Sequence, residues 1–143
     1  MTRSLLLFVH VGSAMGMVAA LGIESVLLRQ LQRSSDATGL RTVMDDYRLI
    51  APVGGASMLL LLLSGLYLAT AYWGWKGAWI GAGFLGFILL GAIGGMLTGR
   101  SLSGFRKAPD GVDKLQLHTK LRTSWLLRAW IFAGIVFLMT TKP

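Results

Sequence analysis

Two histidines, one glutamate and one arginine set among apolar neighbours are the residues on which any chemistry of this 143-residue chain would rest. His10 lies inside an uncharged run from Ser4 to Ile23. Imidazole paired with a thioether suits haem iron or cuprous copper, so Met139, near the far end of the chain, is the partner to weigh with His10 for a cofactor or a metal. Tyr67 or Tyr72 are candidates to hydrogen-bond at the same depth. Glu24 is the only glutamate. A lone carboxylate among apolar groups needs a partner, and Arg128, itself inside an apolar stretch, is the first candidate for an ion pair, with Arg48 and Arg100 as alternatives. The competing reading of Glu24 is a proton relay. His118 stands next to charged residues and reads as a solvated or headgroup-facing side chain.

The elements that must position these residues are long and apolar. Hydrophobic residues make up 54% of the chain and charged residues 14%, which puts the composition on the membrane side of normal. Ser4 to Ile23, Leu49 to Trp75 and Gly77 to Gly99 are uncharged runs, each long enough to cross a hydrocarbon core of about 30 Å as a helix. Ala129 to Thr141 becomes a fourth span when extended back through Arg128 to Leu121. The expected fold is all-α: a four-transmembrane-helix bundle, up-down-up-down, with spans at about 4–28, 49–73, 77–99 and 121–141 in a single domain. The start could be a signal peptide ending near Ala19-Ala20, but its apolar run outlasts the usual 7–15 residues. We expect it to be retained as the first span.

Charge gives the orientation. Ten of the fourteen Lys and Arg fall in Arg29 to Arg48 and Arg100 to Arg122, leaving Arg3, Lys76 and Lys142 for the other side. The positive-inside rule then puts the two long loops in the cytoplasm of a bacterial inner membrane and both termini on the periplasmic or exterior face. Tyr72, Trp73, Trp75 and Trp79 form an interfacial belt there. The same rule accounts for the net charge of +8 without a nucleic-acid partner. In the first long loop, Leu40, Val43, Met44 and Tyr47 recur at helical spacing opposite Arg41, Asp45 and Asp46, which predicts a short amphipathic helix lying on the membrane surface. Pro52 is placed to kink the start of the second span. Ala108-Pro109-Asp110-Gly111 is a turn between the third and fourth.

Small residues supply the packing. Gly91, Gly95 and Gly99 repeat at four-residue spacing, as do Gly12, Gly16 and Ala20. Such stripes let helix backbones approach in lipid, where apolar burial gives little drive. They serve either the bundle itself or a docking face for another subunit. His10, Met17 and Glu24 fall at seven-residue intervals, drifting only about 20° per step, and so share the helix-one stripe that faces the bundle or a partner.

Several classes fall away. Without cysteine there are no disulfides, thiolate metal sites, iron-sulfur clusters or covalent c-type haem. A serine-histidine-carboxylate arrangement lacks a carboxylate at the depth of His10, and no phosphate-cradling glycine loop is present. His10 and His118 belong to opposite membrane faces, which argues against both binding one haem.

The order of motifs resembles a broad group of small bacterial four-helix membrane proteins. It includes uncharacterised integral membrane families, the membrane domain of the CopD copper-resistance type and the HemJ-type protoporphyrinogen oxidases. The resemblance is carried by Leu6-Leu7-Phe8-Val9-His10-Val11, by Ala19-Ala20 and Arg29, by Arg48-Leu49-Ile50-Ala51-Pro52 leading to Leu63-Ser64-Gly65-Leu66-Tyr67, and by the closing Phe137 to Pro143. It implies haem b (HemJ type) or copper (CopD type) at His10. The residues themselves give two expectations. One is a non-catalytic accessory or scaffolding subunit that packs by glycine-rich helix faces against itself, as a homo-oligomer, or against a larger membrane complex. The other is a redox or carrier protein with haem b or copper at His10.

Overall fold

The computed structural model describes residues 2–34, 36–75, 77–107 and 113–141, and all regular structure among them is helical. Lys76, the Ala108 to Gly111 turn and the Lys142-Pro143 end lie outside the described residues. Helix α1 runs Thr2–Arg33 and α2 runs Ala37–Leu68, the latter extended by a π-helical turn, Ala69–Trp73. Helix α3, Ala78–Ile93, passes through a second π-helical stretch, Gly94–Gly99, into the short α4, Arg100–Lys107. Helix α5 spans Lys114–Thr141. Four continuous helical rods result, each long and apolar enough to cross a membrane.

The apolar residues of these rods mostly point outward. No more than 28% of the most apolar window of any rod is buried within the protein. Phe8, Met15, Leu49, Leu85 and Trp130 are all more than half exposed. In water that surface would drive aggregation, whereas in lipid it needs no cover.

The rods are longer than the apolar runs that define them, and their extensions share a core. Leu27, Leu28 and Leu31 of α1 meet Val43, Met44 and Tyr47 of α2, together with Phe105 of α4 and Leu117 and Leu121 of α5. The amphipathic segment Leu40 to Tyr47 is helical as expected, but it is not a separate element on the membrane surface. It forms the first turns of α2, which continues through Pro52 without a break. An apolar helical stripe can be covered by lipid or by other helices, and here three neighbours present leucine and phenylalanine to it. Met44 and Tyr47 are consequently among the most buried side chains in the protein, at 2% and 1% exposure.

Helix ends at this extension are tied down. Asp113 caps α5, its Oδ1 accepting the Leu115 N–H at 3.0 Å. Lys114 Nζ donates to the carbonyls of Gln32 and Ser34 at the end of α1, where a cation meets the negative end of the helix dipole.

Contacts between rods are uneven. α1 packs along α2, α3 along α5 and α1 against α5, while α2 and α3, consecutive in sequence, hardly meet. A gap therefore runs down the bundle between α2 and α3, with α1 and α5 behind it. The contact glycines follow that pattern. A Cβ on Gly16 would stand 2.6 Å from Ser57 Oγ, and one on Gly86 would stand 2.8 Å from Ile135, so these glycines seat α1 on α2 and α3 on α5. Gly12, Gly95 and Gly99, expected to pack either within the bundle or against another subunit, make no close contact with a neighbouring rod. Gly95 faces open space and Gly99 meets only the Gly94 carbonyl at 3.8 Å, because the third rod turns this stripe toward the gap, and Gly12 of α1 likewise has nothing within 4 Å. Gly91 does make a contact, with Met58 from across the gap.

Candidate functional site

The residues singled out by type fall into two clefts along that gap. The first is a cavity of about 300 Å³ that takes His10 from α1 and Met139 from α5 into one lining. Its walls are mostly apolar and aromatic, with Trp75, Trp79, Phe84 and Phe87 from the start of the third rod and the loop before it, and Arg3 of α1 adds a charged donor to the lining. His10 Nδ1 lies 3.0 Å from Ser64 Oγ of α2. Ser64 sends its own proton to the Leu60 carbonyl at 2.6 Å, so toward the histidine it accepts. With Ser64 as the acceptor, the imidazole proton falls on Nδ1 and the lone pair on Nε2.

Two glycines make this arrangement possible. A Cβ on Gly65 would come within 3.1 Å of His10 Cε1, and one on Gly83 within 2.9 Å of the Met139 methyl. Trp75 is held at φ 59°, a left-handed conformation that costs a bulky residue about 1–3 kcal/mol. It follows Gly74, also left-handed, and packs edge-on against Phe84 with ring centroids 6.4 Å apart. The π-helical turn Ala69–Trp73 sits directly before it and contributes Ala69 to the cavity wall. Irregular backbone of this kind recurs at functional sites.

Tyr67 and Tyr72, expected as hydrogen-bond partners at this depth, are not His10's neighbours. Tyr67 is half exposed, and the Tyr72 ring lies under the Arg3 guanidinium at 5.6 Å. Ser64 takes their place. Its signal in the sequence was a lone hydroxyl amid the leucines of the second span, which must bond to something.

The second cleft, about 240 Å³, lies deeper along the same gap and is walled by glycine: Gly54 and Gly55 on α2, with Gly91, Gly94, Gly95 and Gly99 opposite. Met17 and Glu24 of α1 and Arg128 of α5 close its back. Glu24 and Arg128 form a bidentate pair, Arg128 Nη1 donating to Oε1 at 3.1 Å and Nη2 to Oε2 at 2.5 Å. Both residues are more than 90% buried, so the Arg128 side chain stays inside the protein. Arg48 instead pairs with Asp45 at the surface, at 3.4 Å.

Three interactions that the residue types alone did not predict surround the pair. Thr98, in the second π-helical stretch, bonds Ser124 at 2.8 Å. Trp125 Nε1 donates to the Leu21 carbonyl at 2.8 Å, a second clamp between α1 and α5. The buried Tyr47 hydroxyl has no hydrogen-bond partner among the described residues but lies close enough to Glu24 and Arg128 to interact with both charges.

His10, Met17 and Glu24 do share an inward stripe, but it divides between the clefts, His10 lining the first and the other two the second. His118 lines a third cleft with Arg29, Arg122 and Trp125, apart from His10. No group of three or more His, Cys, Asp or Glu able to hold a metal occurs among the described residues. Comparison with known proteins finds no matching family model, no matching curated sequence and no matching solved structure.

Proposed function

We propose that this chain is a multi-pass protein of a bacterial inner membrane, threaded up-down-up-down with both termini outside the cytoplasm, and that it works as a non-catalytic accessory or scaffolding subunit. One observation carries the reading. Gly55 and Gly95, on the two sides of the α2–α3 gap, have no heavy atom within 4 Å of where a side chain would begin. Bare backbone facing lipid is where another helix gains close contact, from a second copy or from a larger complex. The polar groups nearby support binding over turnover, since Glu24 is neutralised by Arg128 and Thr98 is occupied by Ser124.

The absence of native cysteine makes the test direct. Gly95→Cys in native membranes should give a disulfide-linked species with a cysteine placed on the partner helix, and Gly95→Leu should release whatever co-purifies. If neither substitution changes the size of the purified particle, the docking reading fails. Labelling of single cysteines between Arg100 and Arg122 tests the orientation, which requires protection from the outside.

A second reading is favoured by the shared lining of His10 and Met139: a haem b or copper protein. The donor set, one imidazole nitrogen and one thioether, fits a single cuprous ion, with His10 Nε2 and Met139 Sδ as its ligands and carriage or electron transfer as the chemistry supplied. The cavity, at the small end of the range for ligand pockets, fits a macrocycle poorly. Purified protein would then hold one copper per chain, or show a Soret band, lost in His10→Ala.

A further inference from the structure

We propose that the His10 cavity holds the hydroxyl-bearing aromatic ring of a membrane amphiphile, a phenol- or quinol-headed lipid, with its tail leaving through the α2–α3 gap. The inference goes beyond the docking reading and does not depend on it. Four features of the cavity select this class.

Size is the first. A volume of about 300 Å³ corresponds to about ten waters' share of the liquid, the bulk of one substituted ring and far more than an ion needs. Lining is the second. Aromatic walls from Trp79, Phe84 and Phe87 suit the faces and edges of a ring, and Met139 offers a thioether to the same ring. The third is the polarity of His10. With its proton committed to the α2 side, Nε2 presents an acceptor, and an acceptor selects a ligand that donates. A quinol or phenol hydroxyl can donate to His10 and accept from Arg3 in the same lining, while a quinone can only accept and a hydrocarbon tail does neither. The fourth is Trp75, held in a left-handed backbone conformation in the turn that forms part of the cavity wall. The open side between α2 and α3 supplies the route for a tail, because those helices leave each other nearly untouched.

The experiment uses the full chain in lipid nanodiscs and reads quenching of tryptophan fluorescence, since Trp75 and Trp79 line the cavity. Decyl-benzoquinol, kept reduced, is compared with decyl-benzoquinone and with a plain alkane. One hydrogen bond in an apolar site predicts that the quinol binds about tenfold tighter than the quinone. That preference should disappear in His10→Ala and persist in part in His10→Gln, whose amide oxygen also accepts. Phe84→Ala, which leaves the hydrogen bond intact, should weaken quinol and quinone equally, and it keeps the test decisive if His10→Ala misfolds. Equal binding of quinol, quinone and alkane to the native protein would show that only a lipid tail fills the space and overturns the proposal. So would a preference that survives His10→Ala. Saturable cuprous binding at one per chain, lost in His10→Ala and unaccompanied by any quinol preference, would overturn it in favour of the metal.

Discussion

The two ends of the bundle treat their polar residues in opposite ways. Around Glu24 and Arg128 each charge is met by its partner, Thr98 and Ser124 satisfy each other, and the rod extensions beyond them close over a core of leucine, methionine and phenylalanine. Around His10 a single bond to Ser64 holds the ring, which lines a cavity. Buried polar groups that saturate one another stabilise a structure, whereas one left with a free lone pair beside space is equipped to meet a ligand. The difference sets a saturated polar pair at one end of the same helices against a histidine beside a cavity at the other.

The largest expected effect breaks the tight end. Arg128→Leu leaves the Glu24 carboxylate buried without its partner and should cost about 3–5 kcal/mol, read as reduced resistance to denaturing detergent. Glu24→Leu combined with Arg128→Leu should recover much of that loss, because the uncompensated charge is what is penalised. If single and double variants are equally damaged, packing and not charge holds α1 to α5 here.

A smaller effect is expected at Thr98→Val. Hydrogen bonds between helices in lipid contribute about 0.6 kcal/mol and at most about 1.7, so the variant should lose that much in the same assay. The second π-helical stretch would be the place to look for altered hydrogen exchange.

Tyr47→Phe sharpens the contrast from within the core. Its hydroxyl is buried and unbonded among the described residues, so removing it should be neutral or stabilising by up to about 1 kcal/mol. A loss of more than about 1 kcal/mol would mean that the hydroxyl belongs to the Glu24–Arg128 network.

A small stability change is also expected at the open end. His10→Ala deletes one interhelical bond next to an existing cavity, and its cost should stay near 0.6 kcal/mol. A much larger loss would make His10 a structural residue and remove the distinction between the ends.

The membrane-spanning class and the number of rods were legible in the chain itself, because the bilayer's thickness sets how long an apolar run must be and its lack of hydrogen-bonding partners forces helix. Glu24 and Arg128 were legible as candidates for each other by the same reasoning, since charges inside apolar runs are few. Tertiary structure decided what periodicity could not: that α2 is one continuous helix from Ala37 onward instead of following a separate short helix, and that Gly95 looks into a gap while Gly86 meets Ile135. A helical pattern fixes which residues share a face and leaves open what that face meets, be it lipid, a neighbouring helix or empty space. The meeting of His10, Ser64 and Met139 at one end of the bundle depends on three rods chosen by packing, and no spacing along one chain encodes it.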